Sequence, residues 1–237
     1  MSNKYYFFIH IPKTAGSSFR TMLYKQFSQE VIYPNLKDIR ANGGSYPYRE
    51  ATLKALNSER NIQFLMGHYP FAMGKKMPES PECIVFLRDP IKRAVSNLYH
   101  LQHNNPRFKN VSARTIIEGA TSQINNIHVR FMGDWRFRPH KLFTAETELG
   151  AKAFVRAKKN LDACAFVGFT EHFEASVKVL EQKFDWNLGR IHKKNKTSKR
   201  REPISDDLYE KLIALNQLDI ELYNYAREKY LPLIITP

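Results

Sequence analysis

Twice in this chain a short apolar run stops at a turn and passes directly into a helical pattern, and that pairing leaves few architectures open. The first run is YYFFIHI at 5–11, rich in aromatic and β-branched side chains and closed by Pro12. Phe19, Leu23 and Phe27 then recur at helical spacing, with Ser17 and Ser18 as candidate caps. The second run, CIVFL at 83–87, ends at Arg88-Asp89-Pro90. Asp89 suits a helix cap and Pro90 a first helical turn, so a helix is expected from residue 90 to about residue 103. Strands without polar alternation are buried on both faces, and a helix after each strand supplies the cover. The two junctions predict a parallel sheet between helical layers.

The rest of the chain extends this pattern. Pro34, Asn42, Gly43, Gly44 and Pro47 make 34–47 a loop region, followed by a short helix over 48–56 and a strand over 62–66. Helical patterns cover 112–119, 122–131 and 146–160, with a fourth strand expected over 163–168 and a helix over 171–184. Ser205, Asp206 and Asp207 open the clearest helix, whose apolar stripe runs Leu208, Leu212, Leu215, Leu218, Leu222 and Tyr225. No repeat, low-complexity tract or linker interrupts the sequence, so the expectation is one α/β domain over 1–237.

Charge narrows the partner more than the fold. The net charge is +14, and seven Lys or Arg with no acid fall between 190 and 201, so half the excess sits in one segment. Such a block repels itself and suits a polyanion, although a solvated basic loop explains it equally well at this level. No apolar run approaches the ~20 residues of a membrane span. The first residues lead into a strand with no signal-peptide pattern. Cys83 and Cys164 each lie beside apolar residues, which suits buried thiols in a reducing compartment better than a disulfide or metal site. A cytoplasmic address is therefore expected. Oligomeric state is not legible.

Chemistry concentrates at the two junctions. The first turn of a helix offers unpaired N–H groups and a positive dipole end, so HIPKTAGSS at 10–18 sits where an anion binds. Gly16 allows close approach of the backbone, Lys13 adds a cation, and Thr14, Ser17 and Ser18 add hydroxyls. This is not a Walker loop, in which Lys follows the second Gly, because Lys13 precedes Gly16 by three positions. At the second junction Arg88 ends a strand, and Ser96 stands roughly two turns into the following helix. The planar guanidinium fork of Arg suits a phosphate. Taken singly, each segment also reads as an ordinary strand–turn–helix connection, with Arg88 paired to Asp89.

Taken together, PKTAGSS and RDPxxRxxS resemble the two signatures of the sulfotransferase superfamily that bind 3′-phosphoadenosine 5′-phosphosulfate (PAPS). The likeness is greatest to the branch of heparan and chondroitin O-sulfotransferases. The resemblance implies a P-loop-like three-layer sandwich with a central parallel sheet flanked by helices, PAPS as donor, PAP as product, and no metal. Carried over by position, Lys13, Thr14, Ala15, Gly16, Ser17 and Ser18 line the 5′-phosphosulfate, while Arg88 and Ser96 hold the 3′-phosphate. Lys13 also serves the leaving phosphate. FLMGHYPF at 64–71 resembles the family's strand ending in Gly-His, which makes His68 the general base. A histidine bonded to nearby backbone is the other reading of His68. Some relatives carry a second histidine two residues earlier, where this chain has Met66, and His10 is a weaker candidate.

Other segments follow the same resemblance. NNIHVRF at 125–131 resembles the helix that helps build the acceptor cleft, implying acceptor contacts from Asn126 and Arg130. FVGFTEHF at 166–173 resembles the step near the adenine and implies a contact from Phe169. The basic block stands where the family closes a loop over the nucleotide, which implies Lys196, Arg200 and Arg201 as cofactor contacts. The acceptor implied is a sugar hydroxyl, with an anionic glycan favoured by charge. A tyrosyl peptide and a small phenol stay open as acceptors. Residues 33–47, Arg107 and 130–138 with Trp135 are expected to shape that choice.

Two other classes compete. A P-loop small-molecule kinase would share the fold, but it needs a Walker Lys and an acidic magnesium ligand, for which Asp89 is the candidate. A non-catalytic polyanion or nucleic-acid binder would use the basic block, yet it gives no reason for two phosphate cradles. No nucleic-acid partner is expected.

Overall fold

A computed structural model describes residues 4–119, 123–133, 149, 151–189 and 204–236. Five strands form one parallel sheet: β1 (Tyr6–Ile9), β2 (Ile32–Tyr33), β3 (Phe64–Gly67), β4 (Glu82–Leu87) and β5 (Phe166–Phe169), ordered β2-β3-β1-β4-β5. The α/β class, the central parallel sheet and the helical layers expected from the sequence are all present. Side chains alternate between two cores, as the period of a strand dictates. Phe7, Ile9, Leu65, Val85, Leu87 and Val167 face one core. Phe8, Phe64, Met66, Ile84, Phe86 and Phe166 face the other.

Helices cover each face. The first core is closed by α6 (Ile127–Gly133), α7 (Ala151–Asp162) and α10 (Gln217–Tyr230). The second is closed by α1 (Gly16–Gln26) and α8 (Phe173–Phe184). A third apolar cluster joins α4 (Pro90–Asn104), α5 (Ala113–Glu118) and α9 (Asp206–Leu215). Cys83 and Cys164 are free thiols, and burial pushes Cys83 up to about 12 and Cys164 well above its ordinary value.

Four local expectations need correction. The loop expected over 34–47 holds α2 (Leu36–Ala41), with β2 immediately before it. Asn35 accepts from the N–H groups of Lys37 and Asp38 while Asp38 accepts from that of Asn35, a reciprocal cap that starts a helix despite the nearby glycines. Ser17 and Ser18 do not cap α1, because Ala15 takes the cap position in a left-handed conformation (φ 63°) and the helix begins at Gly16. The strand counted second along the sequence is the third, since the two-residue β2 is too short for periodicity to reveal. The terminal stripe is two helices, α9 and α10, broken at Asn216. The Asn216 amide donates to the carbonyls of Ile124 and Leu212, and its oxygen accepts from the N–H of Asn126. These bonds draw the chain out of the continuous helix. The Asp89 cap stands as expected, its carboxylate accepting the Lys92 N–H at 2.8 Å.

Candidate active site

Both junctions open at the carboxyl edge of the sheet, where ligands lie in open parallel folds. They line one cleft of about 390 Å³. From the first junction come His10, Lys13 and residues 15–18, from β3 His68, from the second junction Arg88, Ser96 and Asn97, and from beyond β5 Thr170. No carboxylate among the described residues lines it. Asp89, two residues past the end of β4 and one after Arg88, is committed to capping α4.

The geometry of the first junction is built from backbone. Lys13 (φ 71°) and Ala15 (φ 63°) both sit in the left-handed region, which is costly for residues with a side chain and turns successive N–H groups toward one side. Arg88 reaches across from β4 and donates to the Lys13 carbonyl at 3.1 Å, so the two signatures brace each other. Thr14 is wholly buried, and its hydroxyl donates to the Ile11 carbonyl at 2.8 Å. Its side chain therefore belongs to the framework of the loop. Gly16 is required by packing, because a Cβ there would collide with the His10 ring. That ring is buried and held by a 2.8 Å bond between Nδ1 and the Tyr46 hydroxyl, so it has nowhere to move. Adjacent substitutions should therefore diverge in thermal melts. Gly16→Ala is expected to cost about 1–3 kcal/mol through overpacking. Ala15→Gly is expected to leave the melting temperature unchanged or raised, because glycine tolerates the left-handed cap. Equal loss in both variants would contradict the collision.

Sheet register assembles a histidine pair that no local motif announces. Ile9 pairs with Gly67, which carries His10 and His68 out of neighbouring strands side by side, ring centroids 4.5 Å apart. The His68 Nδ1 lies 2.6 Å from the His10 carbonyl. A carbonyl only accepts, so Nδ1 carries the proton and Nε2 keeps its lone pair. Burial pushes His68 down to about 4, against the opposing pull of that carbonyl, with Arg20 and His100 adding to the fall. His10 is held well below its ordinary value by burial, then by His68, Arg20 and Lys13. Both rings are neutral at pH 7, in a cleft whose charged side chains are cations and whose hydroxyl and amide groups can donate. An anion fits that set.

Three residues carried over by resemblance lie elsewhere. Phe169 is fully buried with its ring edge-on to Tyr223, and the next residue, Thr170, lines the cleft. Asn126 and Arg130 are engaged in a buried clamp rather than in the lining. Arg130 donates through Nε to the Asn125 carbonyl, and the Asn126 side chain accepts from the Asp219 N–H. Both oxygens of the buried Asp219 accept from the first turn of α6, from His128 and Val129. Arg93, also fully buried, donates to the Gln123 carbonyl on the other side of the same segment. Lys196, Arg200, Arg201, Trp135 and Arg138 lie outside the described residues.

The cleft also includes Tyr99, His100, His103 and Asn104 on α4, which sequence reasoning passed over. Helical spacing from Ser96 marks 100 and 104 as the same face. Tyr46, which props His10 across 36 residues, left no local signal.

The family model described as "Sulfotransferase family" matches residues 3–226 of the chain. Among curated proteins, heparan-sulfate 6-O-sulfotransferase 3-B of Danio rerio is 24% identical over 194 residues, covering 68% of this chain and 46% of that protein. Heparan-sulfate 6-O-sulfotransferase 2 of Gallus gallus is 25% identical over 176 residues, covering 62% and 44% respectively. The chain thus spans less than half the length of these relatives. The solved structure of a sulfotransferase from Alicyclobacillus acidocaldarius covers 94% of this chain and 95% of its own, with a TM-score of 0.52 and 18% identity. The two share a fold.

Proposed function

The chain belongs to the sulfotransferase family, and from that premise we propose that it transfers a sulfuryl group from PAPS to a carbohydrate hydroxyl, with His68 as general base. One observation carries this reading: Lys13, Gly16, Ser17, Ser18, Arg88, Ser96 and His68 line a single cleft with no carboxylate among the described residues of its lining. Such a donor set fits a nucleotide bearing phosphates at both its 5′ and 3′ ends. Gly16 and Ser17 offer helix-terminal N–H groups, and Lys13 a cation, to the 5′ side. Arg88 and Ser96 serve the 3′-phosphate. His68 Nε2 accepts the acceptor proton as the acceptor oxygen bonds to sulfur, and Lys13 stabilises the charge that collects on the departing phosphate oxygen. A glycan acceptor is supported by the names of the relatives, both heparan-sulfate 6-O-sulfotransferases. An anionic glycan is favoured by the net charge of +14.

Calorimetric titration tests the nucleotide half of this reading. PAP is expected to bind without added metal, and at least tenfold more tightly than adenosine 5′-phosphate, because Arg88 makes charge-assisted bonds worth about 1.5–3 kcal/mol. Arg88→Ala should shrink that difference between the two nucleotides. Equal affinity of the folded wild type for PAP and adenosine 5′-phosphate would defeat the assignment. Incorporation of labelled sulfate from PAPS into desulfated heparan, against a neutral glycan as control, tests the acceptor half.

A further inference from the structure

We propose that His100 is a further catalytic residue, whose Nε2–H donates to an oxygen of the sulfuryl group during transfer while His68 Nε2 takes the acceptor proton. The inference rests on the sulfotransferase reading above and adds a second imidazole with the opposite tautomer. His100 stands one helical turn beyond Ser96 on α4, and both line the cleft with His68 and Lys13.

The tautomer follows from Asn104. Its Nδ2 lies 3.1 Å from the His100 carbonyl and 3.0 Å from His100 Nδ1. The carbonyl accepts only, so the atom beside it is the amide NH₂, and its second hydrogen points at the ring nitrogen. His100 Nδ1 is then an acceptor without a proton, and the neutral ring carries its hydrogen on Nε2. His68 is wired the other way, with Nδ1–H given to the His10 carbonyl. One cleft thus presents a lone pair from one histidine and an N–H from the other. His103 differs from both, because its Nδ1 lies 2.7 Å from the Tyr99 carbonyl one turn back, the ordinary arrangement of a histidine on a solvated helix face.

Position and charge agree with a role beside the reacting atoms. Partial burial, followed by the Lys13 ammonium, lowers the basicity of the solvent-accessible His100 below the usual imidazole value. His100 in turn is one of the charges that lower His68. It therefore lies within electrostatic reach of both the leaving-group cation and the base. A protonated His100 would set an N–H on Nδ1 against the Asn104 amide, so the Asn104 contact favours the neutral ring as well. During transfer the acceptor oxygen bonds to sulfur, and the bond from sulfur to the 5′-phosphate oxygen breaks. Its electron pair leaves with that oxygen, and the acceptor proton moves to His68. His100 keeps its own proton throughout and contributes a hydrogen bond to charge on the sulfuryl oxygens.

Steady-state kinetics with PAPS and a glycan acceptor, PAP calorimetry and imidazole nitrogen NMR on the full chain test this together. His100→Ala is expected to fold normally and bind PAP within about twofold of wild type, with kcat lowered about tenfold. That loss is below the 10²–10³ of an enclosed oxyanion donor because His100 is an exposed residue. His100→Gln, which keeps an N–H donor, should recover part of the loss. NMR should find the neutral proton of His100 on Nε2 and that of His68 on Nδ1. Unchanged kcat in His100→Ala, PAP affinity falling in parallel with kcat, a Gln variant no better than Ala, or the Nδ1–H tautomer at His100 would each overturn the proposal alone. A folded wild type that binds no PAP overturns the sulfotransferase reading, and this inference with it, before any variant is made.

Discussion

Replacing His68 by alanine should leave PAP affinity within about twofold of wild type while lowering turnover by about two orders of magnitude or more, the usual contribution of a positioned general base. The separation is expected because His68 spends its Nδ1–H on the His10 carbonyl, which fixes its tautomer, and the neutral ring brings no charge to a phosphate. His68 lines the same cleft as Lys13, so removing it opens space without taking away a cation. The pH dependence carries a second signature. A general base must be neutral, and burial pushes this one down to about 4. Plotted as kcat/KM for the donor, which reports the free enzyme, activity should hold from neutrality downward and fall only as pH drops through about 4. In kcat the same limb should lie at higher pH, because a bound anion favours the imidazolium. Wild-type turnover in His68→Ala with the true acceptor would remove His68 from the chemistry. A kcat/KM limb near the ordinary imidazole value of about 6.5 would contradict its burial.

Lys13→Ala should lower both nucleotide affinity, by about tenfold, and turnover, by about 10²–10³, because its ammonium serves the ground state and the charge that develops on the leaving phosphate. Arg88 bonds to the Lys13 carbonyl, not to its side chain, so the loop keeps its brace when the cation is gone. Alanine accepts the left-handed conformation at about the same cost as lysine, since both carry a Cβ. An independent readout follows from the neighbours. Lys13 is among the causes that lower His10 and His100, so both should titrate at higher pH in Lys13→Ala. A variant that binds PAP as wild type and turns over normally, with those titrations unmoved, would show that Lys13 points away from the reaction.

What was readable without coordinates was local. Apolar runs of strand length, Asp89 and Pro90 at a helix start, and the cluster Lys13, Gly16, Ser17 and Ser18 are short-range facts of sequence, and each reappears as an element or as lining of the cleft. The reciprocal cap at Asn35 and Asp38 was equally local, but the glycines that follow masked it. Ser96, His100 and Asn104 were also within reach, because a helix repeats its face every three to four residues. The periodicity of a strand or helix is imposed by backbone geometry, so the order of residues alone determined a parallel α/β sheet with two strand–turn–helix junctions.

Tertiary structure decided the relations across elements. Met66 removed the local histidine pair, yet the register of Ile9 against Gly67 rebuilt one from His10 and His68 on different strands. Asn126 and Arg130 carry the right residue types for an acceptor cleft, but Asp219 and Asn125 draw their side chains into a buried clamp. Asn216 broke a stripe that ran unbroken in sequence, because its amide found carbonyls at Leu212 and Ile124. The physical reason is the same in each case. A buried polar group must find its partner wherever packing puts one, and strand register and hydrogen-bond pairing over dozens of residues are settled only when the core closes.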